Sequence, residues 1–153
     1  MGNAFSPSFT SPDIGAATGT SLLVSGIFDG RVPVTVTNGS SATLGGTYKS
    51  GYTFNQETSP GAAVTYTLPG GTSVTGQQYC VSNSYNGSFP TSGKITIQAY
   101  GTGSQYIIFT DGTLSANNGY VQSGGAAGDA ACVIGVDSSH WQLYVQRGTW
   151  TKH

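Results

Sequence analysis

Cys132, Asp137, Ser138, Ser139 and His140 crowd into one stretch, DAACVIGVDSSHWQLYVQRGTW, residues 129–150. A thiol or hydroxyl beside an imidazole, with a carboxylate to orient the ring, is the make-up of an activated nucleophile. Histidine with aspartate and cysteine is also a donor set for zinc. Aspartate followed by two serines is, third, the make-up of a turn that bonds its own backbone. The flanking pattern decides among them. Cys132, Ile134 and Val136 alternate, and Trp141, Leu143 and Val145 alternate again after the polar residues. That is strand, turn, strand. It points Cys132 into a core and leaves His140 in the turn, several residues away at about 3.3 Å each. A cysteine–histidine pair is therefore not expected. Asp137 and His140 supply two metal ligands at most, so neither a metal nor another cofactor is expected. The expectation for Asp137, Ser138, Ser139 and His140 is a surface turn, available as contact residues.

Other chemistry finds little support. The six acids, Asp13, Asp29, Glu57, Asp111, Asp129 and Asp137, are scattered. Asp29 and Asp111 precede glycine in turn-like contexts, and Asp129 and Asp137 flank opposite ends of one expected strand. A pair of carboxylates facing each other across a sugar, as glycoside hydrolysis needs, is not among them. The chain has neither a glycine-rich phosphate loop ending in Lys-Ser/Thr nor a Gly-x-Ser-x-Gly elbow. Several of the nine tyrosines lie on expected strands, where the ring suits a pleated surface and the hydroxyl reaches water. No catalytic residues are assigned.

The elements that would position these groups are short strands. Glycine, serine, threonine and asparagine interrupt every window of helical length. Alternation marks Val32, Val34 and Val36, then Val64, Tyr66 and Leu68, then Ile95, Ile97 and Ala99. QQYCVSN, QYIIFTDGT, NNGYVQSGG, ACVIGV and WQLYVQ complete the set, with turn signals between them. Only 7% of the residues are charged and the net charge is −1, which excludes a basic surface for nucleic acid or anionic membrane. No apolar run is long enough for a membrane helix. The expected fold is all-β, a C-terminal sandwich of jelly-roll type.

Three segments are expected. Residues 1–28 read as an extended N-terminal arm, 29–60 as a β-rich connector and 61–153 as the sandwich. In the arm, AFSPSFTSPDIG places Phe5, Phe9 and Ile14 among polar residues. An arm too short to bury them itself can bury them in a partner, which makes them candidate anchor residues. Cys80 and Cys132 both fall on expected strands and are either a disulfide across the sheets or two small buried hydrophobes.

Two groups of phrases carry a family resemblance. IGAATGTSLLVSG, residues 14–26, resembles the stem segments of bacteriophage tail fibre proteins. TLPGG, GQQYCVSN, GKITIQAYG, DAACVIGVDSSHW and GTWT, within residues 66–151, resemble C-terminal domains of phage fibres and other virion surface proteins. The resemblance implies a homotrimeric β-structured projection on a virion, with the chain itself and other virion proteins as partners. A repetitive shaft is missing, so the expectation is a short fibre, spike or decoration protein held by its N-terminal arm. The alternative is a receptor-binding tip that recognises host surface polysaccharide.

Overall fold

The computed structural model describes residues 33–153 apart from 38, 47–49, 57–62, 72–73 and 85–92. Residues 1–28, with Phe5, Phe9 and Ile14, lie outside the described residues, as do Asp29 and Glu57. The described residues are all β, with no helix, in two sheets. The strands are β1 (Val34–Thr37), β2 (Ala42–Thr43), β3 (Gly51–Gln56), β4 (Val64–Thr67), β5 (Gln78–Ser84) and β6 (Ile95–Gln98), followed by β7 (Tyr106–Ile108), β8 (Tyr120–Ser123), β9 (Ala130–Gly135), β10 (His140–Arg147) and β11 (Trp150–Lys152). Sheet A runs β1-β3-β5-β9-β10-β7 and sheet B runs β11-β8-β6-β4-β2.

The chain changes sheet at every connection except one, the β9–β10 hairpin. Over β1 to β6 this makes a two-sheet coil. Odd strands stack parallel in sheet A and even strands stack parallel in sheet B. Parallel neighbours cannot be joined by a tight turn, and each return here passes through the opposite sheet. From β8 onward the pairings are antiparallel, β6 with β8, β8 with β11, β5 with β9 and β9 with β10, while β7 lies parallel beside β10. A jelly roll is built from antiparallel Greek keys. The parallel first half corrects that expectation, although the coarser one, two β-sheets around one core, holds. The strands β1 to β3, expected in a connector over 29–60, are full members of these same sheets.

The core lies between the sheets. Val64, Tyr66 and Leu68, with Ile95, Ile97 and Ala99, face it from sheet B, each at most 1% exposed. Tyr79, Val81, Ala131, Val133, Trp141 and Leu143 face it from sheet A. Tyr79 and Trp141 meet with ring centroids 5.8 Å apart at 49°, a tilted contact suited to the positive edge and negative face of aromatic rings. Burial pushes the Tyr79 phenol up, and it pushes Tyr66 up despite a hydrogen bond with Thr37.

At the coil end the interior turns polar. The inward residues of β3 are Thr53 and Asn55, in register with Val81 and Asn83 of β5. Asn55 Nδ2 donates to Asn83 Oδ1 (3.0 Å), and Asn83 Nδ2 donates to the Gly93 carbonyl (2.8 Å). Asn55 Oδ1 accepts from the Gly39 amide (3.1 Å). Thr37, in register with Asn55, shares a hydrogen bond with the Tyr66 hydroxyl across the two sheets. Amide side chains one rung apart in parallel strands lie at the spacing of the ladder itself, so one can donate to the next.

Candidate functional site

The sequence pointed first to the β9–β10 connection, and the structure makes it a self-bonded turn. Asp137 Oδ1 accepts from the Ser139 amide (2.7 Å) and the His140 amide (2.9 Å). The same carboxylate lies 2.9 Å from His140 Nδ1. The Val136 amide donates to the His140 carbonyl and closes the hairpin (2.9 Å). Hydrogen bonding from the Ser139 backbone, then from the His140 ring, holds the Asp137 carboxyl below the usual carboxylate range. The His140 ring stacks on Tyr106 of the neighbouring β7, with centroids 5.6 Å apart and 20° between planes. Asp137 and Ser138 are exposed, and Ser139 and His140 are half-buried. Beneath the turn, buried Gln105 donates through Nε2 to the Ser138 carbonyl (3.2 Å). The result is a fixed, outward-facing set of a carboxylate, an imidazole, a phenol and two serines.

Cys132 does not share this site and does not face the core. Along β9 the inward residues are Ala131 and Val133, which places Cys132 and Ile134 on the outer face of sheet A. That corrects the orientation expected from the Cys132, Ile134, Val136 alternation. Gly135 is the residue pressed against the opposite loop, where Val74 leaves no room for a side chain. Cys80 and Cys132 are directly opposed in the β5–β9 ladder and joined by a disulfide, Cα to Cα 4.0 Å. The bond lies between neighbouring strands of one sheet and not across the two sheets.

The described carboxylates are engaged by their own loops. Asp129 is 3% exposed, and its Oδ2 accepts from the Gly125 and Ala126 amides, both at 2.9 Å. Asp111 accepts from the Thr113 amide (2.9 Å) and hydroxyl, with Lys152 Nζ 4.0 Å from its other oxygen. These hydrogen bonds, with a smaller contribution from Lys152, hold Asp111 below the usual carboxylate range. No group of three or more metal-ligating side chains occurs among the described residues. A cleft of about 250 Å³ opens between β1, β2 and β3, with Thr35, Leu44, Ser50, Thr53 and Tyr79 among its lining. It lies at the polar end of the coil, away from the Asp137 turn.

What alternation of apolar residues could not reveal is the outer face of sheet A. On β1 and β3 the usual pattern is inverted. Val34 and Val36 are 57% and 51% exposed, while Thr35 lines the cleft between the sheets. On β3, Thr53 and Asn55 are buried, while Tyr52 and Phe54 stand outside and stack with centroids 4.5 Å apart. Register then carries one apolar row across five strands: Val34, Tyr52, Cys80, Cys132, Val145. At the far end a bulge between Leu143 and Val145 inserts Tyr144, whose hydroxyl reaches past β9 to Gln78 Oε1 (3.4 Å). The outer face of sheet B is different: Thr65, Thr96, Gln122 and Thr151 lie in one row, and Gln122 donates to Thr96 (3.0 Å).

No family model, curated protein or solved structure matches the chain.

Proposed function

We propose that this chain is a structural protein of a virion surface, a short trimeric fibre, spike or decoration protein held by its N-terminal arm. The observation that carries the reading is the pairing of two unlike sheet faces in a nearly uncharged chain. One outer face is threonine and glutamine and is suited to water; the other is valine, tyrosine, phenylalanine and a disulfide. A protein whose work is assembly needs an apolar face for its neighbours and a polar one for solvent. The coil supports the same reading, because parallel rungs stack along one direction, which is how projections are lengthened. The sequence phrases of residues 14–26 and 66–151 add the resemblance to phage fibres. The described carboxylates hold loops, and the chain acts without a catalytic centre or cofactor in this reading.

The test is location and mass. Gold-labelled antibody against the chain should decorate particles purified from the culture that produces it, and light scattering should give three times the chain mass. Particles without label would refute the virion assignment. Removing residues 1–20 should release the protein from particles while preserving its β circular dichroism; retained decoration would refute the anchor.

The second reading, a receptor-binding tip, is favoured by the Asp137–His140 turn. With Tyr106 of β7 beside it, it presents two aromatic rings and several hydrogen-bonding groups at a fixed hairpin, the means by which a sugar ring is stacked and its hydroxyls held. Replacing Asp137, Ser138, Ser139 and His140 together with alanine should abolish labelling of host cells by the pure protein. Unchanged labelling would confine these residues to shaping the turn.

A further inference from the structure

The inverted strands β1 and β3 raise a physical question. Binary patterning places apolar side chains inward, and these two strands place them outward. The row Val34, Tyr52, Cys80, Cys132, Val145 spans five hydrogen-bonded strands, about 19 Å at the usual strand spacing. The stacked Tyr52 and Phe54 rings and the bulged Tyr144 lie on the same side. A contiguous apolar patch of this kind is uncommon on a protein that acts alone.

We infer that the outer face of sheet A is a self-association surface, turned toward the same face of its sister copies about their common axis. The inference rests on the assembly part of the function proposed above and names the surface that performs it. Charge selects the occupant. Among the described residues of this face, the charged and ionisable side chains stand at its margins, Arg147 on β10 and Asp137 paired with His140 at the turn, so an acidic, basic or nucleic-acid partner would meet no counter-charge across the apolar row. Two copies, by contrast, meet as neutral against neutral without repulsion. The rest of the molecule selects it again. The opposite outer face, sheet B, is threonine and glutamine, so the patch that gains most from burial against this chain is the same patch on another copy. One face shared by all copies can close an assembly, paired about a two-fold or turned together toward a three-fold axis.

The test places a carboxylate at either end of the row in the full-length protein. Val34 and Val36 are more than half exposed, and Val145 is 44% exposed, so Val34→Glu with Val36→Glu, and separately Val145→Glu, should not disturb the core. Buried without a partner in the interface, these charges should weaken association by on the order of 100-fold or more. Light scattering at micromolar concentration should find the unaltered protein as an oligomer and both variants as monomers with unchanged β circular dichroism. Thr151→Glu on the outer face of sheet B should keep the oligomer. Folded variants of both ends that retain the oligomeric mass would overturn the surface assignment while leaving assembly intact. Dissociation by Thr151→Glu alone would move the interface to sheet B and overturn it also. If the unaltered protein is a monomer, assembly itself fails, and the inference with it. Should the β1 variant misfold, Val145→Glu on β10 decides alone.

Discussion

Asn55 and Asn83 sit side by side on parallel strands in the interior, and the amide of the first donates to the carbonyl of the second at 3.0 Å. The pair joins two successive rungs of the coil where apolar packing gives out. Replacing Asn83 with leucine removes the acceptor for Asn55 and the donor to the Gly93 carbonyl, and both partners lie where water is excluded. A loss of roughly 2–4 kcal/mol is expected in urea unfolding, from two buried hydrogen bonds removed together. Thr151→Ala, which removes an exposed hydrogen bond to the Gln122 carbonyl on the outer face of sheet B, should cost less than about 1 kcal/mol by comparison. Equal losses would show that the asparagine pair has no special place in the coil.

The disulfide closes a separation of 52 residues and ties the coil strand β5 to the antiparallel strand β9. Chain-entropy arguments give about 4 kcal/mol for a loop of this length. Replacing both cysteines with alanine should lower stability by roughly 2–4 kcal/mol, with β circular dichroism retained, because the ladder between the strands does not depend on the bond. A thiol assay on the unfolded, unreduced protein should find no free cysteine; two would contradict the bond directly.

Gly148 turns the chain from β10 toward β11 at a φ of +84°, a conformation that favours glycine. A Cβ there would overlap the carboxylate of Asp129, which is fixed by the Gly125 and Ala126 amides. Gly148→Ala should cost about 1–2 kcal/mol for the backbone alone, and more for displacing Asp129. Asp129→Asn, which keeps the size but weakens the acceptor, should destabilise the same loop. Proteolysis between β8 and β9 should rise in both variants, and an unchanged rate in either would separate the two residues.

Asp137 gives a pH dependence whose sign is fixed. Its folded pKa is lowered below the 3.8 of a free side chain, so its contribution to the turn is present above that value and is lost as pH falls through the folded pKa. The Ser139 amide reports it, since it donates to Asp137 Oδ1. Its NMR shift should titrate with a midpoint below 3.8, and Asp137→Asn should abolish the transition. A midpoint at or above that value would mean that the turn does not favour the carboxylate form.

Much of sheet B was legible in the sequence because each of its central strands is apolar on one face. Val64, Tyr66 and Leu68 alternate with threonine, and all three are buried. Sheet A was harder for a definite reason. On β9 both faces are apolar, Ala131 and Val133 within, Cys132 and Ile134 without, so period alone cannot choose the inner one. On β3 the choice is reversed, with Thr53 and Asn55 inside, and GYTFNQ falls in the stretch expected only as a β-rich connector. The Asp137–His140 turn was legible because its chemistry is local: an aspartate bonding amides two and three residues on. The apolar outer row was not, because its members come from five strands and only register brings them together.

The alternation of strands between sheets also sets the order in which this chain can fold. Neighbours in sequence are almost never neighbours in a ladder, and the β9–β10 hairpin is the exception. During synthesis β1 to β8 therefore emerge before any of them can close a tight turn with the next, and each coil rung must wait for a distant partner. Such contacts cost loop entropy before they return energy, which places the chain among slow folders. The hairpin is the natural template: β9 recruits β5 through its free edge, and the coil then grows backwards toward β1. Nascent chains halted before residue 130 should stay unstructured, and the same chain released at full length should gain its sheets together.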